Sequence, residues 1–354
     1  NCGQDSTYGG SESAGGNADS EGIGDFAYAV PSGYKALCSA NLPDPTIKLP
    51  NKHFDTLLWS GNSSTQAITG LNFSPDWVWS KRRSATSSHY LSDTIRGVHK
   101  ILFSELTSAE YDGTSNNDGV DSFDSNGFTF NNGTYVADYN ASGSTYVGWN
   151  WNAGDTDGKT YTVKVHDFSG NNRYIFDDFQ TQAVTLDLAE GGTYIFNMDD
   201  SSNASHPFMI GTTANDNTTA FGSGIVYKLD GVVKTFAQYH AGFAAATTRR
   251  LEFTIPASTN NLFYFCYAHS GMGGAINTNS TLGSSNFEGN TQATVKVNTT
   301  AGFSIISWTS RGNSSGTYDT FGHGLGVRPN VLILKTRSTT GNFNVYNSNF
   351  SSAN

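Results

Sequence analysis

The stretch Phe263-Tyr264-Phe265-Cys266-Tyr267-Ala268-His269-Ser270-Gly271-Met272-Gly273-Gly274 runs from an aromatic, apolar segment into a thiol, an imidazole and a thioether, all between positions 266 and 272. The apolar part reads as a strand and the Gly-rich part as the turn after it. Soft sulfur donors combined with imidazole form the set used by copper electron-transfer sites, with two His and one Cys in a trigonal plane and a weak axial Met. A second imidazole is available upstream, in Asn203-Ala204-Ser205-His206-Pro207-Phe208.

Working outward, short runs with turn residues between them fill residues 158–299. Strands are expected over 160–165, 174–176, 184–188, 193–197, 250–255, 262–265 and 293–297. About seven such strands imply a Greek-key sandwich. The order strand, His206, long insert, strand, then Cys266-x-x-His269-x-x-Met272 resembles the cupredoxins, most closely those with the short amicyanin-type ligand loop. The resemblance implies His206, Cys266 and His269 as equatorial ligands, Met272 as the axial ligand, and copper as the cofactor. Two departures accompany it. Pro207 stands where the family has a backbone N–H directed at the thiolate, and proline has none. Ala268 stands where the short-loop proteins have Pro, so a donor can return from the other side. Two outcomes remain open, a metal site with altered tuning or an inherited loop without metal. The insert contains His240, a rival ligand with no strand-end placement. His53, His89, His99, His166 and His323 show no partner pattern and are expected to be structural or surface residues.

An internal repeat flanks this unit. Gly70-Leu71-x-Phe73-x-Pro75-x-Trp77-Val78-Trp79-x-Lys81-x-Arg83-Ser84 matches Gly324-Leu325-x-Val327-x-Pro329-x-Val331-Leu332-Ile333-x-Lys335-x-Arg337-Ser338 at a constant offset of 254 (Gly70 to Gly324). Further upstream, Phe54 and Trp59 answer to Phe303 and Trp308, and Gly61-Asn62-Ser63-Ser64 to Gly312-Asn313-Ser314-Ser315. Residues 53–157 form the first copy, with strands expected over 54–59, 77–81, 127–130 and 145–151, and residues 300–354 begin a second. Trp77, Trp79, Trp149 and Trp151 alternate along their strands and share one sheet face. Such a face could bind sugar, but placement inside strands favours a packed core.

Residues 43–52, with Pro43, Pro45 and Pro50, read as an extended linker. Before it, residues 1–42 open on Asn1-Cys2-Gly3-Gln4 and close on Pro31-Ser32-Gly33-Tyr34-Lys35-Ala36-Leu37. This pattern resembles the last strands of SPRY-type, concanavalin-like sandwiches, with Cys2 where that family has an aromatic. With a partial unit at each end and no initial Met, the chain reads as a piece of a longer or processed polypeptide. The fold expected is all-β and multidomain, a series of consecutive β-sandwich modules including a cupredoxin-like Greek-key sandwich.

Composition narrows the function. Charged residues make up only 14% of the 354, the net charge is −10, and no basic cluster exceeds Lys81-Arg82-Arg83. These features argue against a nucleic-acid partner. No apolar run reaches the roughly 20 residues of a membrane-spanning helix. Cys2, Cys38 and Cys266 are too few for a disulfide framework. Cys2 and Cys38 could pair in an oxidising compartment, though buried free thiols fit the count better. Sequons such as Asn62-Ser63-Ser64 read as exposed turns. Catalysis finds no motif, with no Gly-x-Ser-x-Gly elbow, phosphate loop or His-Glu-x-x-His. Asp177-Asp178 and Asp199-Asp200 lack calcium-loop spacing.

These features support two readings. The string of modules resembles the mosaic virion proteins of marine bacteriophages, including tail fibres, appendages and capsid decorations. That resemblance implies a non-enzymatic, structural and adhesive protein on the virion surface. Its partners would be other virion proteins, further copies of itself (often as a trimer) and a host cell-surface glycan or protein. The alternative is an extracellular copper-binding protein that carries electrons or stores metal.

Overall fold

Alternating apolar positions, polar Asn/Ser/Thr/Gly turns and scarce charge produce short strands rather than helices. The computed structural model describes residues 5–154, 158–278, 282–312 and 318–350. The chain divides into two units, residues 1–48 and 49–354, and the division falls inside the Pro-rich stretch expected to be a linker. In the first unit the Asp19 carboxylate acts as a hub. It accepts from the N–H groups of Glu21, Ile23 and Ala36 and from Asn41 Nδ2, at 2.6–2.9 Å. The Asn1–Gln4 motif, and with it any Cys2–Cys38 pairing, lies outside the described residues. Cys38 is a free cysteine.

The second unit is all-β with several sheets. Its first part contains β1 (Phe54–Ser60), β2 (Gln66–Thr69), β3 (Trp77–Arg82), β4 (His89–Asp93), β5 (Lys100–Phe103), β6 (Tyr111–Asp112), β7 (Val120–Asp124), β8 (Gly127–Phe130), the single helical turn α1 (Val136–Tyr139) and β9 (Thr145–Trp151). A six-stranded sheet, ordered β1-β9-β3-β4-β5-β6, faces a three-stranded sheet, β2-β8-β7. Between them Trp59, Val78, Tyr90, Phe128, Phe130 and Tyr146 form a closed aromatic core.

The next strands are β10 (Thr160–Asp167), β11 (Asn172–Phe176), β12 (Leu186–Asp187), β13 (Thr193–Asn197), β14 (Phe208–Gly211), β15 (Ile225–Leu229) and β16 (Val232–Lys234). After α2 (Phe236–Gly242) come β17 (Arg249–Thr254), β18 (Leu262–Cys266) and β19 (Gly274–Asn277). They build a sandwich of two sheets, β11-β10-β13-β17-β15-β16 and β12-β19-β18-β14. Tyr161, Phe176, Phe196, Phe208, Leu251 and Tyr264 fill the space between the sheets. The helix α2 starts at a full capping box, in which Thr235 Oγ1 accepts from the Gln238 N–H and the Gln238 side chain accepts from the Thr235 N–H. The long insert after His206 is therefore ordered structure, made of β14, β15, β16 and α2.

The last strands are β20 (Ser284–Asn286), β21 (Ala293–Asn298), β22 (Phe303–Trp308), β23 (Val331–Leu334) and β24 (Asn344–Asn347). β21 pairs with β20 on one side, from Ser284↔Val295 to Asn286↔Ala293, and on the other with β22, from Ala293↔Trp308 to Asn298↔Phe303, so one sheet runs across the boundary expected at 299/300. The cause is local. Asn298 Oδ1 accepts from the Ala301 N–H at 2.9 Å, and Gly302 adopts φ +68, so the intervening residues make a tight hairpin turn.

The repeat extends to backbone register. In the first copy Trp77 faces Asp93, Val78 faces Ser92, Trp79 faces Leu91 and Ser80 faces Tyr90. In the second copy Val331 faces Asn347, Leu332 faces Tyr346, Ile333 faces Val345 and Leu334 faces Asn344. Each residue lies 254 positions after its counterpart. The Asn313-Ser314-Ser315 part of the repeat lies outside the described residues.

Candidate metal centre

The ends of two strands and one loop gather the donors. In the β14/β18 pairing Phe208 lies opposite Cys266, and the Tyr267 N–H donates to the Pro207 carbonyl at 2.8 Å. His206, two residues before β14, is thereby held beside the end of β18. Its own N–H donates to the Asn203 carbonyl at 2.8 Å, and Asn203 Nδ2 donates to the Val163 carbonyl at 2.8 Å, which anchors the segment to β10. After Cys266 the chain turns through His269 and Met272 and comes back as β19. The return needs glycine, because a Cβ on Gly273 would lie 1.7 Å from the Tyr264 carbonyl oxygen.

The geometry fits a bound ion. Nδ1 of His206 stands 3.9 Å from the Cys266 sulfur, and Nδ1 of His269 stands 3.6 Å from it. The three donor atoms lie within 4.8 Å of one another, and the two rings are 4.7 Å apart at 51°. A trigonal ion with bonds of about 2.0 Å to nitrogen and about 2.3 Å to sulfur, the lengths found in zinc sites, holds each nitrogen–sulfur pair about 3.7 Å apart. Among the described residues, no other three His, Cys, Asp or Glu side chains gather in this way. His206 and Cys266 are buried, at 8% and 3% exposure, whereas His269 is exposed. Met272, expected as the axial ligand, is buried in the sandwich core, and its carbonyl accepts from the Tyr174 N–H at 3.0 Å.

Burial disfavours charge at two of the three donors. Burial pushes the Cys266 thiol up, opposed by the Ala268 N–H, the Tyr174 hydroxyl and the His269 N–H. Burial, then the neighbouring His269, push the His206 imidazole down. Pro207 has no N–H to offer the sulfur, whereas Ala268, where the short-loop proteins have proline, keeps its own. Tyr174, whose hydroxyl donates to the His206 carbonyl at 2.8 Å, is a neighbour of the site that sequence reasoning missed. Within Tyr174-Ile175-Phe176 it reads as a core aromatic, and no spacing rule ties it to Cys266.

Other candidates lie elsewhere. His240, on α2, stacks on Tyr267 at 3.8 Å and 13°, outside the three-residue cluster. Burial pushes its imidazole down to about 4. His89 accepts from Trp79 Nε1 at 2.9 Å, and His99 Nδ1 meets the Asp118 carbonyl at 3.0 Å, so both are structural. Three of the paired carboxylates make ion pairs, Asp177 with Lys159, Asp178 with Lys164 and Asp199 with Arg250, while Asp200 caps a turn through the Ser202 N–H. Trp77, Trp79, Trp149 and Trp151 share the outer face of the six-stranded sheet, all half-buried. Phe303 covers one end, meeting Trp151 at 6.0 Å and Trp77 at 6.4 Å, and Trp79 and Trp149 meet edge-on at 6.0 Å.

The chain belongs to the family described as Domain of unknown function (DUF7483), which matches residues 49–176 and 275–354, more than half of the chain. His206, Cys266, His269 and Met272 all fall between the two matched segments, whereas Tyr174 falls inside the first. No curated protein matches the chain.

Proposed function

We propose that this member of the DUF7483 family binds copper through a His206–Cys266–His269 centre, with Met272 as a further ligand, in a cupredoxin-like sandwich whose donor residues lie between the two family-matched segments. The observation that carries this reading is the convergence of both Nδ1 atoms on one buried thiol at separations that suit trigonal coordination. Thiolate, thioether and imidazole together are a donor set for copper rather than for calcium or magnesium. When bound, copper supplies one-electron chemistry. The chain's own residues do the rest. β14 and β18 fix two donors before any ion arrives. The sandwich core keeps water from Cys266, and exposed His269 offers an imidazole edge through which an electron can pass.

Adding one equivalent of Cu(II) to the purified chain is expected to produce an intense visible thiolate-to-copper absorption. That absorption is expected to be absent from Cys266→Ser. A colourless wild-type protein that retains no copper on desalting would rule the proposal out.

A wider role is proposed beside it, structural attachment at an extracellular or virion surface, with a host glycan or protein as partner. It is favoured by the recurrence of one hairpin in identical register at both ends of the second unit. Antibody labelling of particles in electron micrographs tests it, and a lack of labelling together with a soluble, monomeric full-length protein would count against it.

A further inference from the structure

The second copy of the repeat is joined to the first by an interface within the chain. Phe303 of β22 packs on Trp77 and Trp151 of the outer sheet face, and Ile305 packs with Ile95 and Ala153. Arg337 fixes the join from the side. Its Nη2 and Nε donate to the two Glu110 carboxylate oxygens at 2.9 and 3.1 Å, and its carbonyl accepts from the Glu110 N–H at 2.9 Å. The first copy thus supplies a seat, centred on β3, and the second a ridge, made by β22 and Arg337.

Because the two copies share a sequence pattern, each carries a counterpart of the surface that the other uses. The counterparts of Phe303, Ile305 and Ser307 are Phe54, Thr56 and Leu58 of β1, and that of Arg337 is Arg83. All four are exposed, Leu58 at 63%. The counterparts of Trp77, Trp79 and Leu91 are Val331 and Ile333 of β23 and Val345 of β24, which share one face of their hairpin. Val345 is 65% exposed, whereas Leu91 is 2% exposed, and Val331 and Ile333 are about as open as Val345. Single exposed apolar residues are ordinary, but a row of them on one face marks an interaction surface. The chain therefore joins one seat to one ridge internally and leaves one of each open.

We propose that copies of this chain associate head to tail, the open Phe54–Leu58 ridge of one lying on the open β23–β24 seat of the next, in the manner of the internal join. The two open surfaces differ, so the contact is heterologous, and successive copies either close into a ring or continue as a filament. None of the metal donors and no host ligand takes part, so the interface stands or fails apart from both proposals above.

Sedimentation velocity over a range of concentrations, on full-length wild type, Leu58→Glu and Ile333→Glu, tests this. Both positions are exposed, so the variants are expected to fold, which circular dichroism verifies. Wild type is expected to form species larger than a dimer as concentration rises, and each variant to remain monomeric. An equimolar mixture of the two variants is expected to give a one-to-one dimer that grows no further, because one chain keeps a sound seat and the other a sound ridge. A wild type that is monomeric at every concentration overturns the proposal, as does association that survives both substitutions. A mixture that stays monomeric while wild type assembles also overturns it, since a two-fold contact behaves in that way. If either variant does not fold, Thr56→Lys and Val345→Lys provide the same mixture.

Discussion

At the scale of single residues, the centre is built from groups of unequal access. His206 is buried and its backbone is tied to Asn203, whereas His269 is exposed on the loop. His269→Gly should abolish the visible band, and added imidazole should restore it by diffusing into the open position. His206→Gly should not be rescued in this way, and equal rescue of both variants would contradict the geometry. Protonation sets a second expectation. Burial keeps the Cys266 thiol protonated at neutral pH and the His206 imidazole neutral. Metal uptake near pH 7 should therefore release about one proton per ion, and affinity should fall as the pH is lowered. Calorimetry in buffers of different ionisation enthalpy measures that release, and a value of zero would mean that the thiol is not a ligand. The cluster of His206, Cys266 and His269 was legible in the sequence because soft donors at fixed spacing are rare. The place of Tyr174 was not, because its bonds to the His206 and Met272 carbonyls join segments distant in sequence.

At the scale of elements, buried ion pairs and carboxylate hubs fix the joins. Lys296 of β21 meets Asp76 at 2.6 Å, both buried, while Thr94 Oγ1 and the Ala153 N–H also donate to that carboxylate. Burial still pushes Asp76 up, against Lys296 and these donors. Lys296→Met strands the carboxylate and should cost about 3–5 kcal/mol at neutral pH. Because a folded pKa raised above the unfolded value favours the protonated form, the deficit should shrink as the pH falls and Asp76 takes up a proton. Urea titrations at pH 7 and pH 4 would show this, and an equal loss at both values would contradict it. In the first unit, burial opposes ionisation of Asp19, but the Ile23 and Ala36 N–H groups, Asn41 and the Glu21 N–H outweigh it and draw the carboxyl down to about 2. This unit's stability is expected to be complete above the ordinary carboxyl range near 3.8 and to be lost as the pH falls toward 2. Asp19→Ala should lose it at every pH, as read by amide exchange at Ile23 and Ala36. Strands with strong apolar alternation, such as β3, β9 and β18, were legible in the sequence. The insert after His206 was not, since β14 through α2 are short and depend on partners distant in sequence.

At the scale of the whole molecule, two levels of repetition and insertion coexist. A hairpin recurs in identical register 254 residues apart, and the donors His206, Cys266 and His269 lie between two stretches of a single family. The repeat was legible because its offset stays constant through Gly70–Ser84. The pairing of β21 with β22 was not, because whether adjacent strands join one module or bridge two is decided by turn geometry at Asn298 and Gly302 rather than by strand pattern. The division near residue 48 places the exposed cleavage sites in the Pro-rich stretch, so limited proteolysis should cut there before it cuts within 53–157. The central claim, a copper ion held by one sulfur and two imidazoles, is tested most directly by X-ray absorption at the copper edge of the loaded wild-type chain. The account predicts one sulfur scatterer at a short, thiolate-like distance of about 2.2–2.3 Å with two imidazole nitrogens near 2.0 Å, and loss of the sulfur shell in Cys266→Ser. A shell of nitrogen and oxygen alone, or one unchanged by Cys266→Ser, would contradict it.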